Sequence, residues 1–212
     1  MNDTKKVIVA LDGMSEAEAL IIAKLLQNLV WGFKVNDLLY EDVSIIRKLK
    51  KFGRVFVDAK LYDIPNTVAN SVKRISLLGA DFITVHASGG IEMMRSAKLN
   101  AGKAKIIAVT VLTSKKLQSV GEVVKLTKDA IKAKVHGIVC SGHELESIKS
   151  IPGSKKLIKI VPGIRPAWYR IKDDQNRKMT PKEALRSGAD YLVIGRPLTG
   201  SENILKTLRG LF

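Results

Sequence analysis

Eight short apolar runs, rich in β-branched residues, recur along this chain with helix-like stretches between them. They are Val7–Leu11, Val30–Val35, Arg54–Ala59, Phe82–His86, Lys105–Leu112, Gly137–Cys140, Leu157–Val161 and Tyr191–Ile194. Near-continuous apolar runs of this kind suit parallel strands covered on both faces, because neither face meets water. The segments between them carry helical spacing. Ala19, Ile22, Ala23 and Leu26 share one face of Ser15–Gln27, and Val43, Ile46 and Leu49 share one face of Asp42–Lys51. Ser15 before Glu16 and Glu18, and Thr180 before Pro181, read as helix N-caps. Strict strand–helix alternation requires a parallel sheet, either closed into a barrel or open and doubly wound. An open sheet of that kind favours a glycine-rich phosphate turn after its first strand. Here Leu11-Asp12-Gly13-Met14-Ser15 holds one glycine and no G-x-G-x-x-G. The chain therefore predicts an α/β fold, a single (β/α)8 TIM barrel domain over residues 1–212, near the short end for that architecture.

Composition narrows the function classes. At 212 residues and 46% hydrophobic content the chain can bury a substantial core. No stretch approaches the roughly 20 apolar residues that span a bilayer, and polar Met1–Lys6 does not resemble a signal peptide. The lone Cys140 lies in an apolar run and reads as core, and no Cys/His spacing suits a metal. The expectation is a cytoplasmic protein with no metal and no membrane role. The net charge of +16 is spread along the chain, with short pairs such as Lys5–Lys6, Lys115–Lys116 and Lys155–Lys156. It predicts first a solvated basic surface, then attraction of anionic substrate, and last a nucleic-acid partner. With 5% aromatic residues a base-stacking platform is not expected.

In a barrel, chemistry gathers at the C-terminal ends of the strands, where the following loops are free to vary. Those ends carry Asp12, Lys34, Asp58, Lys60, His86, Thr113, Arg165 and Arg196, whereas the strand bodies are apolar. The densest element is Asp58-Ala59-Lys60-Leu61-Tyr62-Asp63. With a strand period of two, Asp58 and Lys60 point together into the barrel mouth. Lys34 reaches the same space, and Asp63 lies just beyond, at the start of a helix whose first turn holds Pro65 and Thr67. Burying such a row is costly unless each charge is paired, so a purely structural role is unattractive. Flanking carboxylates favour the ammonium form of lysine, which suits it to act as an acid. At the other end of the chain, Val161-Pro162-Gly163-Ile164-Arg165-Pro166 and Ile194-Gly195-Arg196-Pro197-Leu198-Thr199 close strands seven and eight, where such barrels commonly bind phosphate. Between them, polar residues 166–178 show no period, and a lid carrying Gln175 is expected there. His86 reads as packed against loops, and His136 and His143 lack metal spacing.

These pieces resemble the orotidine 5'-phosphate decarboxylase family nearly end to end. The matching runs are Val9-Ala10-Leu11-Asp12, Phe33-Lys34-Val35, Asp58-Ala59-Lys60-Leu61-Tyr62-Asp63-Ile64-Pro65-Asn66-Thr67 and Val85-His86-Ala87-Ser88-Gly89-Gly90. They continue with Val111-Leu112-Thr113-Ser114, the two phosphate-type turns, and Asp190-Tyr191-Leu192-Val193. The resemblance implies cofactor-free conversion of orotidine 5'-phosphate to uridine 5'-phosphate by a homodimer. By motif position, Lys60 would protonate C6, Asp58 would face the substrate carboxylate, and Lys34 and Asp12 would hold ribose hydroxyls. Asp63, Ile64 and Thr67 would enter from the partner subunit. Gln175, Gly195 and Arg196 would hold phosphate, Thr113 would lie beside the pyrimidine or lid, and Arg165 would support the closed loop. Lids in this family tend to be rich in glycine and small residues, whereas this one carries Trp168, Tyr169 and Arg170 and no glycine. Two rivals remain: a metal-dependent sugar-phosphate relative, such as a keto-gulonate-phosphate decarboxylase or hexulose-phosphate synthase, and a catalytically silent barrel binding nucleic acid. Ile64-Pro65-Asn66-Thr67 and Gln175 argue against the first, and the second requires a contiguous basic face.

Overall fold

A computed structural model describes residues 3–112, 120–169 and 178–212. Eight parallel strands close into a barrel in sequence order, β1 pairing with both β2 and β8. The strands are β1 Val7–Ala10, β2 Gly32–Val35, β3 Arg54–Leu61, β4 Phe82–His86, β5 Lys105–Val109, β6 Gly137–Val139, β7 Ile158–Val161 and β8 Tyr191–Ile194. Outside them lie α1 Glu16–Leu26, α2 Leu38–Glu41, α3 Ile45–Lys50, α4 Pro65–Leu77, α5 Gly90–Leu99, α6 Val120–Lys132, α7 Leu145–Lys149, α8 Pro181–Arg186, α9 Arg196–Thr199 and α10 Ile204–Arg209. No described helix is long and apolar enough to cross a membrane.

The alternation of strand side chains divides the interior in two. Val7, Val9, Val55, Val57, Ile83, Val85, Leu192 and Ile194 pack outward with the helices in one cluster. Ile8, Ala10, Phe56, Phe82, Ile107, Ile160 and Val193 form a second cluster, the filling of the barrel itself. Its lower end is aromatic. Trp31 stacks on Phe82 at 4.4 Å, Phe56 meets Phe82 edge-on at 5.8 Å, and Tyr191 lies 5.4 Å from Trp31. These rings plug the N-terminal end, so the inward positions one step higher open only towards the C-terminal end.

Helix starts follow the residues that cap them. The Ser15 hydroxyl accepts from Glu18 N–H while the Glu18 carboxylate accepts from Ser15 N–H. Thr180 and Glu183 repeat this arrangement ahead of Pro181. One expected helix is shorter than its periodicity. The Asp42 carboxylate accepts from the Ser44 N–H at 2.8 Å and from its hydroxyl, turning the chain so that α3 begins at Ile45. Ile46 and Leu49 are buried as expected, but Val43 falls outside the helix and is exposed. Local side-chain hydrogen bonding has overridden the helical pattern there. The β5 run likewise stops at Val109 instead of Leu112.

Gly32 permits the close approach of β2 to β3: a Cβ there would lie 2.1 Å from the Arg54 carbonyl oxygen. The obstacle is backbone within a closed ladder, so it cannot swing aside. Gly32→Ala is expected to destabilise the protein by about 3 kcal/mol, seen as a lower urea midpoint at unchanged slope. An unchanged midpoint would show that the ladder yields.

Candidate active site

The inward step above the aromatic plug is charged. Following the period of two, Ile8 and Ala10 lead to Asp12, Gly32 leads to Lys34, and Phe56 leads to Asp58. The four groups form one chain. Lys34 Nζ lies 2.7 Å from both Asp12 carboxylate oxygens and 3.4 Å from Asp58 Oδ2. Lys60 Nζ donates to the same Asp58 oxygen at 2.7 Å. The order is therefore minus, plus, minus, plus. Asp12, Lys34, Asp58 and Lys60 line a cavity of about 540 Å3 with Phe56, Val109, Val139, Val193, Arg165, Gly195 and Arg196. That volume is in the usual range for small-molecule sites.

The two lysines are not equivalent. The Lys34 side chain is 8% exposed and clamped between two carboxylates, whereas that of Lys60 is 33% exposed and bonded to one. Burial alone would push Lys34 down, but the nearby Asp58 and Asp12 carboxylates outweigh it and raise its pKa above the ordinary 10.5. Burial would push Asp58 up, but Lys34, Lys60 and hydrogen bonds from Lys60 and Thr84 hold its carboxyl below the ordinary 3.8. Lys34 is therefore a fixed cation, and Lys60 is the cation able to turn towards a ligand.

The strand geometry that presents Lys60 was not legible from a period of two. Between Val57 and Leu61 the β3–β4 register shifts: four steps along β3 match two steps along β4, from Ile83 to Val85. Within this bulge Lys60 adopts a left-handed backbone, φ 46°. A lysine there is uncommon and costs on the order of 1 kcal/mol or more, the kind of strain found where side-chain direction matters. The bulge frees backbone groups from the ladder, and side chains satisfy them. Asn36 Nδ2 donates to the Asp58 carbonyl at 2.6 Å, and Lys60 N–H donates to the Thr84 hydroxyl at 2.8 Å. Neither Asn36 nor Thr84 stood out in sequence, because each is an ordinary polar residue beside an apolar run.

Other expected residues fall in several places. The Arg165 guanidinium is buried, donates to the Ile164 carbonyl at 2.9 Å and stacks over Tyr169 at 5.6 Å. Its backbone N–H bonds the Met179 carbonyl beside the Ile164–Met179 bridge, joining the two ends of the expected lid. Gly195 and Arg196 lie where β8 passes into α9. Asp63, Ile64 and Thr67 are not brought to this cavity within one chain. Residues 62–67 form an exposed run, with Tyr62 62% and Ile64 66% exposed. Asp63 accepts from the adjacent Ile64 N–H, and Pro65 opens α4. Thr113 and Gln175 lie outside the described residues.

His86 packs edge-on against Tyr62 at 5.9 Å. His136 Nδ1 accepts from Ile106 N–H, and burial beside Lys98 and Lys105 lowers its pKa. His143 Nε2 meets the Lys178 carbonyl at 3.1 Å, and Cys140 is fully buried core. Among the described residues no group of three His, Cys, Asp or Glu side chains is placed to hold a metal ion. A second cleft, of about 610 Å3, lies at the opposite end of the barrel and gathers Lys5, Lys50, Lys51 and Arg54 around Trp31. There Lys50 pairs with Asp81, Lys5 bonds the Asn28 carbonyl, and Arg54 lies over the Trp31 ring. The alternating acid–base row is confined to the upper cavity.

The chain is similar to known proteins over nearly its whole length. Residues 5–211 match the family model described as the orotidine 5'-phosphate decarboxylase / HUMPS family. A Carboxydothermus hydrogenoformans protein named orotidine 5'-phosphate decarboxylase is 42% identical, over 94% of this chain and 91% of that one. One of the same name from Streptococcus mutans is 45% identical over 80% of each. The crystal structure of orotidine 5'-phosphate decarboxylase from Lactobacillus acidophilus superposes with a TM-score of 0.81 at 33% identity, covering 98% of this chain and 97% of that one.

The pKa shifts set how this row contributes to stability. Asp58, lowered in the fold, stabilises it above pH 3.8, and that contribution is lost as pH falls through the lower folded value. Lys34, raised in the fold, stabilises it below pH 10.5, and that contribution is lost as pH rises through the higher folded value. Asp58→Asn leaves Lys34 and Lys60 facing each other and should cost about 3 kcal/mol at neutral pH. Urea titrations should show that deficit constant through the neutral range and narrowing only below about pH 4. Narrowing already between about pH 5 and 7 would contradict an ionised, paired Asp58.

Proposed function

The chain belongs to the orotidine 5'-phosphate decarboxylase / HUMPS family, and we propose that it decarboxylates orotidine 5'-phosphate to uridine 5'-phosphate in pyrimidine biosynthesis, with Lys60 as the proton donor to C6. The observation that carries this reading is the Asp12–Lys34–Asp58–Lys60 row at the mouth of a barrel otherwise filled with apolar side chains.

The chemistry asks for such a row. When the bond from C6 to the carboxylate breaks, carbon dioxide leaves and the electron pair stays on C6. Fixed charge aimed at the developing carbanion can stabilise it without an electron sink, and does so best in a site poor in water. Asp58 faces the substrate carboxylate, so its repulsion vanishes as neutral carbon dioxide departs. Lys60 then passes a proton from Nζ to C6 and regains one from solvent. Lys34 is a cation held in place by Asp12 and Asp58, and together with Asp12 it holds ribose hydroxyls. Gly195 and Arg196, which line the same cavity, receive the phosphate, and Arg165 supports the loop; by motif position, Gln175 would join the phosphate and Thr113 the pyrimidine. Binding the phosphate far from C6 supplies orientation and closure.

The site is completed by a second copy of the chain, whose Asp63, Ile64 and Thr67 enter beside Lys60. Support comes from the exposed Tyr62–Thr67 run, which carries two large apolar side chains and a carboxylate that do not line its own chain's cavity.

Purified protein with excess EDTA should bleach the ultraviolet absorbance of orotidine 5'-phosphate, and Lys60→Ala should lose at least about 1,000-fold in kcat. No bleaching by folded wild type, or near-wild-type turnover by Lys60→Ala, would overturn the reading. No bleaching from a folded, dimeric sample would favour the metal-dependent sugar-phosphate branch. Mixing inactive Lys60→Ala and Asp63→Asn chains tests the shared site, since each mixed dimer then holds one intact site. Random exchange in equal mixtures should restore about a quarter of wild-type activity, whereas no recovery after demonstrated exchange would place Asp63 in its own chain's site.

A further inference from the structure

We infer that Thr84 is a positioning residue for the proton donor, locking both the Asp58 carboxylate and the strained Lys60 backbone through one buried hydroxyl. This rests on Lys60 and Asp58 acting as proposed above, and it adds a residue from a strand that otherwise contributes only packing to the site.

The Thr84 side chain is fully buried on β4. Its hydroxyl donates to Asp58 Oδ1 at 3.0 Å and accepts from the Lys60 N–H at 2.8 Å. A hydroxyl has one proton, so these two bonds settle its orientation: the proton goes to the carboxylate, and a lone pair faces the backbone amide. Two consequences follow. First, Oδ1 is occupied, which leaves Oδ2 as the oxygen shared by Lys60 Nζ at 2.7 Å and Lys34 Nζ at 3.4 Å. Second, the Lys60 N–H, displaced from the β3–β4 ladder by the bulge, has a partner that stabilises the left-handed backbone. From the other side Asn36 bonds the Asp58 carbonyl, so the bulge is gripped from both neighbouring strands. The root and the tip of the Lys60 side chain are therefore both referenced to β4 through one atom.

A purely structural threonine would look different, and the barrel contains one. Thr110, also buried, spends its hydroxyl on the Val139 backbone carbonyl at 2.9 Å and touches no group of the charged row. Valine matches threonine in shape, and the neighbouring inward position on the same strand, Phe82, belongs to the apolar filling of the barrel. The hydroxyl is explained by what it bonds.

Thr84→Val should lower kcat at least about tenfold, as misplacement of a reacting group does, and leave KM within about twofold, because the phosphate contacts are remote. Thr84→Ser, which keeps the hydroxyl, should recover kcat to within about threefold of wild type. Thr110→Val should weaken stability without this split. If Thr84→Val does not fold, Thr84→Ala removes the hydroxyl without placing a methyl against Asp58, and the same kcat loss is expected. Wild-type kcat in a folded hydroxyl-free variant overturns the inference, as does an equal loss in Thr110→Val or a Thr84→Ser variant as slow as Thr84→Val. Because wild type is assayed alongside, inactivity of wild type itself would instead refute the decarboxylase reading.

Discussion

Four alternating charges within hydrogen-bonding reach of one another govern the upper half of this barrel. Two of them, Lys34 and Asp58, are almost wholly removed from water. Each would cost several kcal/mol to bury alone, so they persist only as members of the set. Asp12 and Lys60, at the more exposed ends, balance the buried pair. The arrangement needs parallel strands whose inward positions stand at matched heights, and a closed sheet supplies that. It also needs a dry floor. The Trp31, Phe56, Phe82 and Tyr191 rings provide one, so that a substrate meets the charges from the open end only.

From that row the rest of the site takes its meaning. The charges sit on β1 to β3 and the phosphate-type turn sits at the end of β8, which pairs with β1. A ligand bridging them spans the mouth and is held at two points, one of them remote from the reacting carbon. The Ile164–Met179 bridge brings the ends of the intervening segment together over the same mouth. The fold thus separates binding from chemistry while keeping both within one cavity.

The distinction between the two lysines is likewise a product of packing. Lys34 on the regular strand β2 points straight inward and is clamped between two carboxylates. Lys60 stands on a bulge, in a backbone conformation that an unconstrained lysine would leave, and keeps a third of its side chain accessible. Strain at that point is tolerated because Thr84 and Asn36 replace the ladder bonds that the bulge breaks. The bulge also brings the Lys60 N–H to the Thr84 hydroxyl, the contact that ties its backbone to Asp58.

By itself the sequence determined the eight strand–helix units, the N-caps Ser15 and Thr180, the apolar filling and the strand-end residues Asp12, Lys34, Asp58, Lys60, Arg165, Gly195 and Arg196 that share the cavity. All of these are consequences of local periodicity and of the rule that strand ends face the mouth. What local spacing does not encode is which non-neighbouring group satisfies a displaced backbone amide or carboxylate. The bulge at Lys60, the role of Thr84, and the outward placement of Asp63, Ile64 and Thr67 were therefore decided in tertiary structure. In each case hydrogen bonding or burial between residues outside the periodic pattern overrode it, because an unsatisfied polar group or an unpaired charge inside the fold costs more than a local departure from regular geometry.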